Sequence, residues 1–266
     1  IQELGLVMDP ILAGTLGGFI AALATALGAL PALIGKSMSQ RMTDTMLGFA
    51  AGVMLSASYF SLIIPGIDAA EGLYGSVTIA SLVAGCGILL GAGFVALLNA
   101  TIPHEHFKTG PEGGADSARL ARIWLFVLAI AIHNFPEGLS IGVAFGGGNQ
   151  TNGLSVMTGI SLQDIPEGLA VAVALVGLGY SRLKCFIVTA LTGLVEPIGA
   201  FIGSAAVTVS SSLLPWGLTF AAGAMLYIIS HEILPETHRN GHQNRATAGL
   251  LIGLVLMMVL DVALAA

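Results

Sequence analysis

A bilayer core takes about 20 apolar residues as helix. This chain divides by that measure into eight such runs, at 10–34, 45–65, 74–101, 121–145, 153–178, 185–208, 214–235 and 246–266. Runs of this length leave the backbone little choice. In hydrocarbon every N–H and C=O must be satisfied within the segment, so each run becomes a helix. The expected fold is an all-α membrane protein with eight transmembrane helices, forming one domain over 1–266. The breaks carry ordinary turn signals, such as "FGGGNQTNG" and "ETHRNGHQNR", and even the longest, about 102–120, is too short for a second domain. A charged fraction of 9% and a mean hydropathy of +0.91 exclude the soluble class. Cys86 and Cys185 form no C-x-x-C motif and read as packing residues. The basic residues form no stripe interleaved with aromatics, so the expected surroundings are the lipid bilayer and not nucleic acid. The opening "IQELGLVMDP" has neither a basic n-region nor a small-residue cleavage site, so no signal peptide is expected there.

The nine Lys and Arg residues sort cleanly between the loops. Lys36 and Arg41 fall in the first, Lys108, Arg119 and Arg122 in the third, Arg182 and Lys184 around the fifth, and Arg239 and Arg245 in the seventh. By the positive-inside rule these odd-numbered loops are cytoplasmic and both termini lie outside the inner membrane. A miscounted helix would scramble the alternation.

Internal similarity adds a symmetry. "FAAGVML" at 49–55 and "FAAGAML" at 220–226 share six of seven residues in helices of opposite direction. "TALGALPALIG" at 25–35 has a looser counterpart in "TALTGLVEPIGAFIG" at 189–203, and "HNFPEGLSIGVA" at 133–144 matches "QDIPEGLAVAVA" at 163–174. The pattern predicts a 3+2+3 inverted repeat, with helices 1–3 against 6–8 and helix 4 against helix 5. Its pseudo-two-fold axis would lie near the midplane, where transporters keep their substrate sites. Glu196 is expected to find Leu30 or a neighbour as its symmetry partner.

The two matching segments are also where polar groups enter the membrane. His133 and Glu137, and Gln163 and Glu167, are i,i+4 pairs; Asn134 with Glu137, and Asp164 with Glu167, are i,i+3 pairs, so each helix presents its set on one face. Glu196 lies at similar depth in the sixth span. Carboxylates at the bilayer centre cost roughly 2.5–3.5 kcal/mol each, so Glu137, Asp164, Glu167 and Glu196 together cost about 10–14 kcal/mol if charged and unpaired. No Lys or Arg lies within two helical turns of any of them, which leaves protonation or bound cations. Four carboxylates match two divalent ions in charge. An imidazole, two amides and carboxylates form a mixed N/O set that suits zinc, iron, manganese or cadmium, and is unlike the all-oxygen sites of magnesium. Pro136 and Pro166 are expected to kink the helices there and free backbone carbonyls beside a cavity.

Weaker candidates surround this set. Met54 offers a thioether, although a Met in an apolar helix is usually packing. "HEILPE" at 231–236 places His231, Glu232 and Glu236 at the inner end of the seventh span, as a release site or as a solvated helix end. His104, His106, His238 and His242 read as polar loop residues with weak metal-binding potential. Asp9, Asp68 and Glu71 make the outer face mildly acidic.

These residues resemble the ZIP (Zrt/Irt-like protein) family of divalent metal transporters along the whole chain. The resemblance implies a two-metal centre of His133, Asn134, Glu137, Gln163, Asp164, Glu167 and Glu196, with the glutamates of the two P-E-G motifs bridging. It implies influx of Zn2+ to the cytoplasm as the transported substrate, with Cd2+ as a substitute. A homodimer and an elevator-like movement of helices 1, 4, 5 and 6 against 2, 3, 7 and 8 are also implied. No enzymatic activity is expected. Where many eukaryotic relatives carry His, this chain has Gln163. The symmetry maps His133 onto Gln163, so the two ion positions are expected to differ: His133, Glu137, Glu167 and Gln163 form the transport site, while Asn134, Asp164 and Glu196 hold a second ion. Two rival functions exist. An intramembrane metalloprotease would want H-E-x-x-H, which neither "HNFPE" nor "HEILP" supplies. A proton-coupled carrier of an organic substrate would use the carboxylates as relays and bind little metal.

Overall fold

The apolar runs fold into eight helical rods, seen in a computed structural model that describes residues 8–34, 39–101, 115–177, 180–239 and 241–265. Side chains are described at all of these except 101, 115–126, 128–130, 177, 264 and 265. The rods are α1 (Pro10–Ile34), α2 (Gln40–Tyr74), α3 (Val77–Thr101), α4 (Ala115–Gly146), α5 (Gln150–Gly177), α6 (Arg182–Val209), α7 (Ser211–His238) and α8 (Gln243–Ala265). Among the described residues there is no strand, and seven of the rods are long and apolar enough to cross a membrane; the other is the 32-residue α4.

Most rods begin earlier than their apolar runs, and polar side chains cap several of them. Asp9 Oδ1 accepts from the backbone N–H groups of Ile11 and Leu12, both at 3.0 Å, so one of the acidic outer residues is an N-cap. Ser39 and Ser181 cap α2 and α6 in the same way. α2 differs most from expectation: it runs over 40–74 where hydropathy alone marks 45–65, since helix continues into the less apolar ends.

Three rods carry backbone irregularities. α2 winds as π-helix over Ala57–Ile63 and α7 over Ile229–Ile233, each just beyond one copy of the F-A-A-G repeat. α6 breaks at Leu194, where Pro197 supplies no N–H and its ring crowds the carbonyl of Gly193. By contrast α4 and α5 each remain one helix through Pro136 and Pro166. The long regular helices therefore hold the polar motifs, and the irregular turns lie in the rods that face them.

The most extensive packing is of α4 with α6, α2 with α8 and α1 with α6, followed by α1 with α5, α2 with α7 and α3 with α7. α1, α4, α5 and α6 also pack among themselves, and they meet the other four mainly where α2 crosses α5 and α7 crosses α4. The main apolar cluster sits at those crossings and includes Met54, Leu62, Ile141, Ile160, Leu218, Met225 and Ile228. Large apolar side chains such as Leu23, Leu89, Leu90 and Ile252 point outward, as lipid contact requires.

Candidate metal centre

His133, Asn134 and Glu137 of α4, Gln163, Asp164 and Glu167 of α5, and Glu196 of α6 are all buried, the most exposed of them at 5%. Helical periodicity sets each group on one face; packing of α4 on α5 turns the two faces together. The closest convergence is among Glu137, Asp164 and Glu167, whose carboxylates each offer an oxygen within 4.8 Å of the others. Gln163 ties the two motifs, its Nε2 donating to Glu137 Oε1 and, at 3.4 Å, to Asp164 Oδ1. Glu196 stands at the N-terminal turn of the second half of α6, where free N–H groups favour a carboxylate.

Glycine explains how these backbones come so close. A Cβ on Gly138 would lie 2.1 Å from the carbonyl oxygen of Glu196, and one on Gly168 would lie 2.1 Å from that of Thr25. The Gly of each P-E-G motif is therefore the contact point between its helix and a neighbour, α6 for one and α1 for the other. The residue of α1 placed like Glu196 is Thr25, and not Leu30, which is exposed. Thr25 also reaches the site, its Oγ1 donating to Glu196 Oε1 at 3.1 Å. The spacing between them, 171 residues, is the one that relates the two F-A-A-G copies, so the sequence did hold a signal for this partner.

Several oxygens in the cluster have no protein partner among the described residues: Glu137 Oε2, Gln163 Oε1, Asp164 Oδ2 and Glu196 Oε2. Native proteins rarely bury acceptors without a donor or an ion. These four, on three helices, form a surface of acceptors that a cation satisfies. The donor set of carboxylates, amide oxygens and one imidazole fits borderline divalent metals.

The weaker candidates separate. Glu232, in the π segment of α7, joins the site: its Oε1 lies 3.1 Å from His133 Nε2. His231 does not; it is exposed and stacks on Tyr227 with ring centroids 4.9 Å apart. Met54 is fully buried in the main apolar cluster. His238 bonds locally to the Leu234 carbonyl at 2.9 Å, and His242 pairs with the buried Asp44 at 2.7 Å. His104 and His106, like Lys36 and Lys108, lie outside the described residues.

A second polar node was not foreseen. Asp261 of α8 accepts from Ser61 of the α2 π segment at 2.6 Å and from Ser155 of α5. It joins α2 to α5, as the His133–Glu232 contact joins α7 to α4.

The ZIP zinc transporter family model matches residues 101–261 of this chain. The chain belongs to the ZIP family. It is 48% identical over 249 residues to zinc transporter ZIPB of Bordetella bronchiseptica, covering 94% of this chain and 80% of that one. It is 45% identical over 252 residues to zinc transporter GufA of Myxococcus xanthus, covering 95% and 99%. Human zinc transporter ZIP11 is 33% identical over 329 residues, covering 94% and 96%. The match thus includes both P-E-G motifs, Glu196, Glu232 and Asp261 within the family segment.

Proposed function

We propose that this chain carries zinc from the outside into the cytoplasm through a two-ion site at the bilayer midplane. The single observation that carries the reading is the convergence of Glu137, Asp164 and Glu167, three buried carboxylates with oxygens within 4.8 Å of one another and no Lys or Arg within two helical turns along the chain. The names of its relatives as zinc transporters support the choice of ion, and the N/O donor set supports cadmium, iron or manganese as substitutes. Glu137 and Glu167 bridge the ions. His133 and Gln163 complete the transport position, and Asn134, Asp164 and Glu196 hold the second ion. Membership in a family of transporters sets the metalloprotease alternative aside.

A 3+2+3 inverted repeat accounts for the packing. Under it α2 with α8 corresponds to α7 with α3, α4 with α6 corresponds to α5 with α1, and α1 with α6 and α2 with α7 each map onto themselves; these six are the most extensive pairs. Gly52 of α2 abuts the Leu250 carbonyl as Gly223 of α7 abuts that of Ile88, and the two π segments follow equivalent repeats. The same grouping supports an elevator in which α1, α4, α5 and α6 slide on the other four. The distribution of Lys and Arg supports cytoplasmic odd-numbered loops and outside termini in an inner membrane, and the resemblance adds a homodimer.

The test is zinc uptake into proteoliposomes by the full chain and by Glu137→Ala. The wild type accumulates zinc and the variant does not; equal uptake by both removes the site from the pathway. Orientation is read by an impermeant thiol reagent on intact cells, in a background lacking Cys86 and Cys185. Cysteines placed at Gly147 and Ser211 are labelled and those at Lys108 and Arg182 are not, and the reverse pattern inverts the direction.

A further inference from the structure

Where α2 and α8 begin, Arg41 and Arg245 converge on one cavity of about 340 Å³, lined also by Gly241 and His242. Retention of cations on one side of the membrane explains two arginines in these loops. It does not explain why residues from opposite ends of the chain share a cavity. Neither guanidinium has an ion-pair partner among the described residues. Asp44, three residues after Arg41, is already engaged: it is fully buried and its oxygens accept from Gln40 at 2.8 Å and bond His242 Nδ1 at 2.7 Å. That bond fixes the imidazole in the cavity wall. The two helices are closely packed there, since a Cβ on Gly48 would lie 2.2 Å from the Ala246 carbonyl oxygen, so α2 and α8 touch beside Arg245 and two turns beyond Arg41.

What lies beside the cavity identifies its ligand. Arg245 shares a helical face with Ile252, Val255 and Val259, at i+7, i+10 and i+14, all exposed to the surroundings, and Met42, next to Arg41, is half exposed. An apolar stripe thus ends on two unpaired cations at the membrane boundary. We propose that this cavity binds the phosphate of an anionic phospholipid whose acyl chains lie along that stripe. A free phosphate would use the cations but not the stripe, whereas basic pockets at this level between transmembrane helices recognise lipid headgroups. The lipid would hold α2 to α8 at the inner face, independently of whether zinc is the transported ion.

The experiment is native mass spectrometry of the full chain in detergent with phosphatidylglycerol, phosphatidylcholine or inorganic phosphate. The wild type retains phosphatidylglycerol over phosphatidylcholine by about tenfold, as two cations near a lipid phosphate imply. Arg41→Gln with Arg245→Gln loses that preference, while Arg41→Lys with Arg245→Lys keeps most of it. Arg239→Gln, whose arginine pairs with Glu236 at 3.3 Å, leaves it unchanged. Each variant is read only as the species eluting like wild type by size exclusion, and the lysine pair carries the test if the glutamine pair does not fold. Equal phosphatidylglycerol retention without either arginine, equal retention of both lipids, loss in the lysine pair, or displacement of the lipid by millimolar phosphate would overturn the proposal.

Discussion

Residues 133–139 of α4 and 163–169 of α5 share Pro-Glu-Gly-Leu and are held alike, each glycine pressed on the backbone of a neighbouring helix. They differ in what flanks that frame. α4 contributes an imidazole where α5 contributes an amide, and the residue facing Gly138 is Glu196 where the one facing Gly168 is Thr25. The crossing helices differ in the same sense: Glu232 reaches α4 from the π segment of α7, while the π segment of α2 reaches α5 with Ser61. The comparison teaches that packing is duplicated and chemistry is not. Under the proposed function, the two matched backbones present two ion positions of unlike charge, one that releases its ion and one that keeps it.

The largest effect comes from breaking what the two segments share. Gly138→Leu and Gly168→Leu each force a side chain into a neighbouring carbonyl, so neither variant yields a monodisperse peak by size exclusion. Gly85→Leu, at a glycine with open space around it, does. Monodisperse protein from both P-E-G variants would mean that the helices can separate there at little cost.

Breaking the difference is next in size. His133→Ala removes the sole imidazole of the set and leaves Glu232 without the partner 3.1 Å away, so zinc uptake falls to near background at matched expression. Gln163→Ala, its symmetry counterpart, removes a donor to Glu137 and retains more uptake than His133→Ala. The opposite order would assign release to the other half.

A smaller effect sharpens the role of Thr25. Thr25→Val removes the hydroxyl that donates to Glu196 while keeping the volume, and weakens the second ion by about tenfold, the scale of one hydrogen bond to a charged group. Isothermal titration with zinc reads this directly, and an unchanged second affinity would make the contact structural only. The smallest effect is that of pH. Protons compete with metal for carboxylates and imidazole, so uptake without an imposed proton gradient decreases from neutral to mildly acidic medium. A rise with acidity would indicate coupled proton transport.

The spans, the loop charges and the two P-E-G motifs were legible because each depends on local composition or on spacing along one helix. Helix ends were less so: Asp9, Ser39 and Ser181 extend or fix them through caps that hydropathy averages away. Contacts between distant segments were the least legible. Glu232 reaches His133 from a turn of α7 that winds as π-helix, and nothing in "ISHEI" announces that winding. Asp261 near the end of α8 meets Ser61 and Ser155, 200 and 106 residues away along the chain, which no local pattern announces. The sequence pattern puts the counterpart of Glu196 at Leu30 or a neighbour, and the glycine contacts put Thr25 there instead, because alignment of Gly- and Ala-rich stretches is weak whereas a glycine that touches a carbonyl is specific.

The central claim, two unlike ions on one duplicated frame, is tested most directly by counting bound zinc in purified wild type and Glu196→Lys by elemental mass spectrometry, with uptake measured on the same preparations. The account predicts two ions per chain in the wild type and one in Glu196→Lys, which keeps part of its uptake because the ammonium replaces the charge of the second ion. One ion in the wild type, or two in Glu196→Lys, or a Glu196→Lys protein that binds one ion and transports nothing, would contradict it.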